Sequence, residues 1–153
     1  MKISIWGMTL FVFATLFNII SCQEKELAEE EIIELRADSF GIAYFNWQYT
    51  EAIKWVTPES EKWIRYAASN VTQTDVDSLT SKEYGTNVTV EAINFDTDTT
   101  ITVLYRIENY LNPKHIGEIS QFLPYGECEI KLKNHQGKWL VHMPDRLPDI
   151  IEP

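Results

Sequence analysis

The chain has 153 residues, a formal net charge of −10 at pH 7, 44% hydrophobic residues and two cysteines. This length suits one domain built around one hydrophobic core. An acidic protein repels phosphate backbones and anionic lipid headgroups. The charge therefore argues against nucleic-acid binding and against a membrane contact made by the protein surface itself.

Residues 1–21 have the pattern of an export signal. Lys2 precedes an apolar stretch from Ile5 to Ile20. As a helix this stretch would be about 24 Å long, which is too short for the ~30 Å hydrocarbon core of a bilayer. A basic start, a short apolar middle and a small residue, Ser21, before the cut site are typical of a cleaved secretory signal.

The end of this segment, Ile19-Ile20-Ser21-Cys22, resembles the lipobox of bacterial lipoproteins. The resemblance implies that cleavage follows Ser21, that the Cys22 thiol is lipidated, and that the lipid holds the protein on a membrane of the cell envelope. Because no Asp follows Cys22, the sorting rule of that family favours the outer membrane. The alternative is an ordinary signal peptide in which Cys22 is incidental.

Residues 22–27 are predicted to form a tether. Their acidic composition, with Gln and Lys, resembles the signals that send some envelope lipoproteins to the outer surface. A solvated spacer explains the same composition equally well, so the side of the membrane stays open.

Cleavage after Ser21 would leave 132 residues with 12 basic and 23 acidic side chains, a net charge of −11. Lipidation of Cys22 would leave Cys128 without an intramolecular partner, which excludes a disulfide scaffold. Cys128 alternates with charged residues between Glu127 and Lys133. It is therefore predicted to be a small buried apolar residue rather than a nucleophile.

Three helices are predicted before any strand. From Glu26 to Trp47 apolar residues recur at helical spacing, which predicts an amphipathic helix. Residues 50–56 predict a short second helix, and Thr57 is the expected N-cap of a third helix that continues through Ala67. The polar run 69–86 predicts a connection between the helical half and the strand half.

After residue 86 the hydrophobic period changes to two, which is typical of strands. Two antiparallel pairs are predicted, formed by residues 88–92 with 101–107 and by residues 125–134 with 138–143. Their turns are expected at Asp96–Asp98 and at Asn134–Gly137. The tail 146–153 is predicted to be extended.

Helices followed by a curved antiparallel sheet, with Gly137-Lys138-Trp139-Leu140-Val141 in the last strand, resemble the cone-shaped fold of the nuclear transport factor 2-like superfamily. Through Tyr49-Thr50-Glu51-Ala52 the chain is also similar to small envelope lipoproteins with a cystatin-like or lumazine-binding-like domain of unknown function. The resemblance covers residues 28–145. It implies a single α+β domain with N-terminal helices packed on a curved antiparallel sheet.

Enzymes of this superfamily work inside the cone, so the inward-facing residues decide whether catalysis is expected. Strand alternation places these residues on the inner face: Val88, Val90, Ala92, Ile101, Val103, Tyr105, Ile107, Cys128, Ile130, Leu132, Trp139, Val141 and Met143. The three histidines, His115, His135 and His142, fall elsewhere and are expected at the surface. A general acid or base must reach its substrate within a hydrogen bond, so no catalytic residue is assigned.

No cofactor and no metal are expected. The run Asn94–Asp98 begins like a calcium loop but lacks the glycine and the glutamate that such a loop needs. There is no glycine-rich phosphate loop, and no Cys or His cluster has the spacing of a zinc site.

The aromatic residues Tyr44, Trp47 and Tyr105 are predicted to line a ligand pocket at the mouth of the cone, with the core as their ordinary alternative. The expected function is that of a non-catalytic, lipid-anchored envelope protein that binds a small ligand, a glycan or a protein partner. One alternative is an isomerase-like or dehydratase-like enzyme that uses Asp38 and Tyr105. Another is a structural accessory subunit that forms a homodimer through its sheet.

Overall fold

The computed structural model describes residues 29–83, 85–113 and 118–152. The predicted signal 1–21, the predicted lipidation site Cys22 and the predicted tether 22–27 lie outside these residues, as does His115. The chain divides after Ile33 into two units, and the packing and the sheet described below belong to the second, which starts at Glu34. Within the described residues, no helix combines the length and the apolar character needed to cross a membrane.

The first helix, α1, covers residues 29–45 and confirms the predicted amphipathic helix. Its inner face is buried through Ala37, Phe40, Ala43 and Tyr44. Gly41 lies on the same face, where a Cβ atom would come within 2.6 Å of Cε1 of Tyr105. The absence of a side chain at Gly41 therefore allows α1 to approach the sheet closely.

The next helices agree with the predictions in position. Helix α2 covers Tyr49–Ala52 and continues as a 3₁₀ turn, Ile53–Trp55. A second 3₁₀ turn, Pro58–Ser60, leads into α3, Glu61–Asn70.

Thr57 precedes the second 3₁₀ turn as its N-cap, but its side chain makes no capping hydrogen bond. Instead, its hydroxyl bonds to Ser60 Oγ at 2.8 Å and to Nδ1 of His142 at 3.1 Å. His142 is half-buried in this contact rather than free at the surface as expected.

The polar connection contains a fourth helix, α4, Gln73–Thr80, which the sequence reading missed. It starts with a capping box in which the hydroxyl of Thr72 accepts from the Asp75 backbone N–H, while the Asp75 carboxylate accepts from the Thr72 backbone N–H. The hydroxyl of Ser120 also donates to Asp75, which is buried. These bonds stabilise a helix that has little apolar surface to bury.

The sheet contains five antiparallel strands: β1 Asn87–Thr97, β2 Thr100–Asn112, β3 Gln121–His135, β4 Lys138–Val141 and β5 Ile150–Ile151. The order is β1-β2-β3-β4, and β5 pairs with β3 opposite Glu127 and Cys128. Both predicted hairpins are confirmed. The β3–β4 turn has positive φ angles at Gln136 and Gly137, as a two-residue turn with this twist requires.

The sheet is curved, and two irregularities in its register accompany the curvature. The β1–β2 pairing shifts between Val90 and Ala92 and again between Phe95 and Thr97. Bulges of this kind increase local twist and bend a strand. The predicted α+β architecture, with helices packed on a curved antiparallel sheet, is confirmed.

The predicted inner face is confirmed for β2, β3 and β4 and for Met143, which follows β4. These predicted residues are buried: Ile101, Val103, Tyr105, Ile107, Cys128, Ile130, Leu132, Trp139, Val141 and Met143. Val88, Val90 and Ala92, on the edge strand β1, are only half-buried. Burial raises the pKa of the Cys128 thiol to about 12, which agrees with an unreactive core residue.

Candidate functional site

A groove of about 450 Å³ lies where α1, α3, the end of β2 and the C-terminal segment meet. We call it the tyrosine groove. Its lining consists of Tyr44, Tyr66, Ala67, Asn70, Tyr110, Asn112, Pro113, Leu147, Pro148, Asp149 and Ile150. Its volume falls in the range of ~300–1,000 Å³ that is usual for small-molecule sites.

Three tyrosines from three different elements supply the aromatic part of the lining. Tyr44 of α1 stacks on Phe40 with ring centroids 5.3 Å apart, and Tyr110 of β2 meets Phe45 edge to face at 5.4 Å. These two rings are fixed by the core, because few rotamers remain to a side chain packed on several sides. Tyr66 of α3 is 38% exposed and is the most accessible of the three tyrosines that line the groove.

The phenols of Tyr44 and Tyr110 stay protonated. Burial raises the pKa of each well above its usual range, and neighbouring tyrosines raise it further. The Trp47 indole lies near the Tyr110 hydroxyl and opposes this rise in its pKa, although its Nε1 falls short of hydrogen-bond geometry. Neutral phenols can both donate and accept hydrogen bonds, so they suit ligands with hydroxyl or amide groups.

Asn70 supplies the most unusual polar group of the groove. It is the last residue of α3, it is one of the residues that line the groove, and it is only 9% exposed. Its Oδ1 is buried and has no hydrogen-bond partner among the described residues. An unpaired buried carbonyl costs about 1–3 kcal/mol, and a ligand with a donor at this position would remove that cost.

One wall of the groove is the C-terminal segment, from Leu147 to Ile150. It is attached by the short β5 strand and by Ile150, whose Cγ2 lies 2.5 Å from where a Cβ of Gly126 would be. Any side chain at position 126 would therefore clash with Ile150. The same segment also borders a second groove of about 340 Å³, which contains Lys131, His142 and Arg146.

The three sequence-predicted ligand residues lie in different surroundings. Tyr44 lines the groove. Trp47, in the turn after α1, is half-buried with a φ of 60° and lies close to Tyr110, but it is not among the residues that line the groove. Tyr105 is completely buried, and its hydroxyl donates to the Ala37 carbonyl at 2.7 Å.

Asp38, the candidate acid of the enzyme alternative, is half-buried on α1. Its pKa is raised first by burial and then by the nearby charge of Glu34. The hydroxyl of Tyr105, its expected companion, is bonded to Ala37, and burial keeps the pKa of that phenol far above its usual range.

In the part of the chain that the structure describes, no three His, Cys, Asp or Glu side chains come together in a way that could hold a metal ion. The run Asn94–Asp98 forms the end of β1 and the start of its turn.

Sequence reasoning missed Tyr110, Asn70 and the C-terminal wall as groove residues. Tyr110 lies beyond the predicted end of its strand, and an asparagine at a helix end has no local signal for ligand binding. The wall depends on a two-residue strand that pairs over a long sequence distance, which no local pattern predicts.

No family model and no curated protein sequence matches this chain. A solved structure described as an NTF-2-like protein of unknown function from Shewanella oneidensis MR-1 is similar over 74% of this chain and 97% of that chain. The sequence identity is 12% and the TM-score is 0.48. In this chain, helices come first and a curved antiparallel sheet follows, which is an α+β arrangement.

Proposed function

We propose that this chain is a lipid-anchored cell-envelope protein that binds a small ligand in the tyrosine groove and does not transform it. The observation that carries the proposal is the buried, unpaired Oδ1 of Asn70 beside a groove of ligand size. A polar atom in this state is destabilising in the free protein, so a bound donor would be favoured.

The titratable groups of the groove favour binding over catalysis. Among its lining residues, the groups that ionise are the tyrosine phenols and the carboxylate of Asp149. The phenols of Tyr44 and Tyr110 have pKa values raised far above neutral, so neither serves as a base at physiological pH. Asp149 is 3.0 Å from Arg146 in an exposed ion pair.

The anchor is the second part of the proposal and rests on the likeness of residues 19–22 to a lipobox. Lipidation of Cys22 would keep the groove near the surface of the outer membrane. Mass spectrometry of the protein purified from bacterial envelopes tests it: the expected N-terminal peptide starts at an acylated Cys22. An unmodified Cys22 thiol in that peptide would contradict the lipid anchor and would leave the proposal of a ligand groove standing.

An enzyme that uses Asp38 and Tyr105 is the second candidate, because burial and the charge of Glu34 raise the pKa of Asp38 above that of a free carboxyl. The bond from Tyr105 to Ala37 speaks against it, since that hydroxyl would have to leave a helix carbonyl in order to act. A protein partner and a homodimer formed through the sheet stay predictions from the sequence.

The binding proposal is tested with the full-length protein in mild detergent and a small-molecule fragment library that contains neutral, cationic and anionic compounds. Ligand-observed NMR identifies binders, and Asn70→Leu is compared with Asn94→Leu, the same change at an exposed position of β1. We expect groove binders that are lost in Asn70→Leu and retained in Asn94→Leu. Equal binding by both variants, or no binder of any charge, would overturn the proposal.

A further inference from the structure

The tyrosine groove has a charge pattern that selects against charged ligands. No Lys, Arg or His is among its described lining residues, and the chain carries a net charge of −10. An anion would therefore be repelled without a compensating partner. A cation would find the carboxylate of Asp149, but Arg146 already pairs with it at 3.0 Å.

The amide and phenol groups of the groove can each donate and accept hydrogen bonds. Asn70 and Asn112 carry amides, and Tyr44 and Tyr110 carry neutral phenols. Each of these groups has both a donor and an acceptor function. Hydroxyl groups on a ligand have the same double character, so a hydroxyl-rich ligand can satisfy the groove without leaving a donor or an acceptor unpaired.

The buried Oδ1 of Asn70 adds a specific requirement, because it has no hydrogen-bond partner among the described residues and only a donor that reaches it can supply one. A ligand that offers only acceptors, such as a ketone or an ether, would leave this carbonyl unpaired. The remaining surface is apolar, formed by Leu147, Pro148 and the exposed ring of Tyr66. Such a surface packs against C–H groups, which alternate with hydroxyls around a saturated sugar ring.

We infer that the ligand of the tyrosine groove is a neutral, polyhydroxylated ring compound of the saccharide class. This inference rests on the proposed function and adds the chemical class of the ligand to it. One sugar ring in an open groove is expected to bind with millimolar Kd, because few contacts offset the loss of its freedom of motion.

The test uses four ring compounds that differ in one property each: glucose, glucosamine as its cationic counterpart, glucuronate as its anionic counterpart, and cyclohexanol as a ring with one hydroxyl. Each is titrated into the full-length protein in mild detergent, and amide chemical shifts give the site and the Kd. We expect glucose to shift groove residues and to bind more tightly than the other three.

Two groove variants and one control complete the experiment. Asn70→Leu removes both the donor and the acceptor of the amide. It should weaken glucose binding about tenfold or more, because one uncharged hydrogen bond is lost and the ligand hydroxyl is left without a partner. Tyr66→Leu, at an exposed position that does not endanger folding, should weaken it about threefold. Asn94→Leu should leave the Kd unchanged.

Tighter binding of glucosamine, glucuronate or cyclohexanol in the groove would overturn the saccharide class and leave the binding function standing. No shift with any of the four would also overturn it. The fragment library then distinguishes the two failures, because binders of another class would preserve the groove as a site and the absence of all binders would remove it.

Discussion

The hydroxyl of Tyr105 donates a 2.7 Å hydrogen bond to the backbone carbonyl of Ala37. Tyr105 is at the centre of the sheet and Ala37 is on the buried face of α1, so this bond joins the two layers of the fold. Gly41, one helical turn after Ala37, lies against the same ring. The contact fixes α1, and thereby Tyr44, relative to the strands that complete the groove.

Removing this bond should lower stability moderately. Tyr105→Phe keeps the ring and deletes the hydroxyl, so we expect the free energy of unfolding to fall by about 0.5–1.5 kcal/mol. Urea unfolding followed by fluorescence measures the change. Tyr66→Phe is the matched control, because the Tyr66 ring is partly exposed, and it should be neutral. Equal midpoints for the wild type and Tyr105→Phe would show that the bond does not stabilise the fold.

Gly41→Ala should destabilise the protein, although the same change in an exposed helix usually stabilises it by up to ~1 kcal/mol. The new Cβ would come within 2.6 Å of Cε1 of Tyr105 and 3.0 Å of Cγ1 of Val88. Overpacking of this kind costs about 1–3 kcal/mol. Thermal unfolding should therefore show a lower Tm for Gly41→Ala, whereas Ser78→Ala on the exposed face of α4 should change little. A raised Tm for Gly41→Ala would mean that α1 is less closely packed than described.

Asp75 should make the free energy of unfolding depend on pH in the acidic range. Desolvation raises its pKa, but the hydrogen bonds from Ser120 and Thr72 outweigh it, so the folded-state pKa lies below the unfolded value of about 3.8. The native state therefore gains stability from this carboxylate above pH 3.8 and loses it as the pH falls through the lower folded-state pKa.

Asp75→Asn should accordingly lower the free energy of unfolding by about 1 kcal/mol at neutral pH, a typical loss for a damaged helix cap. The difference from the wild type should shrink as the pH falls through that range. Asp77→Asn, at an exposed position of the same helix, is the control and should change little. Urea midpoints over a pH series measure the effect, and a constant difference at all pH values would contradict the assignment.

Gly126→Ala should loosen the C-terminal wall of the groove. The added Cβ would lie 2.5 Å from Cγ2 of Ile150, so β5 has to move. We expect faster amide hydrogen exchange at Ile150 and Ile151 and weaker ligand binding, with less effect on global stability. The double variant Gly126→Ala with Ile150→Ala removes the clashing methyl group and should restore slow exchange. Unchanged exchange in the single variant would show that β5 does not depend on Gly126.

Much of the fold could be predicted from the sequence because its signals are local. Alternation fixed the inner faces of β2, β3 and β4, and helical spacing located α1. Helix α4 was missed because its sequence is polar, although the capping pair Thr72 and Asp75 was present as a signal. A capping box can start a helix whose apolar face is too weak to be seen in the hydrophobic pattern.

The candidate site was harder to predict because its residues come from separate elements. Tyr44, Tyr66 and Tyr110 belong to α1, α3 and β2, and they come together in one groove only in the folded chain. The role of Asn70 depends on a missing hydrogen bond, which is a property of the packed structure. The lipid attachment at Cys22 is a prediction that only the covalent chemistry of the exported protein can test.

The most direct measurement of the ligand site is NMR of the full-length protein with ¹³C-labelled tyrosine rings, titrated with glucose. The account predicts that the ring signals of Tyr44, Tyr66 and Tyr110 shift together along one binding curve, while the ring of Tyr125, outside the groove lining, stays in place. If these three signals do not move, or if the ring of Tyr125 moves with them, glucose does not bind in the tyrosine groove.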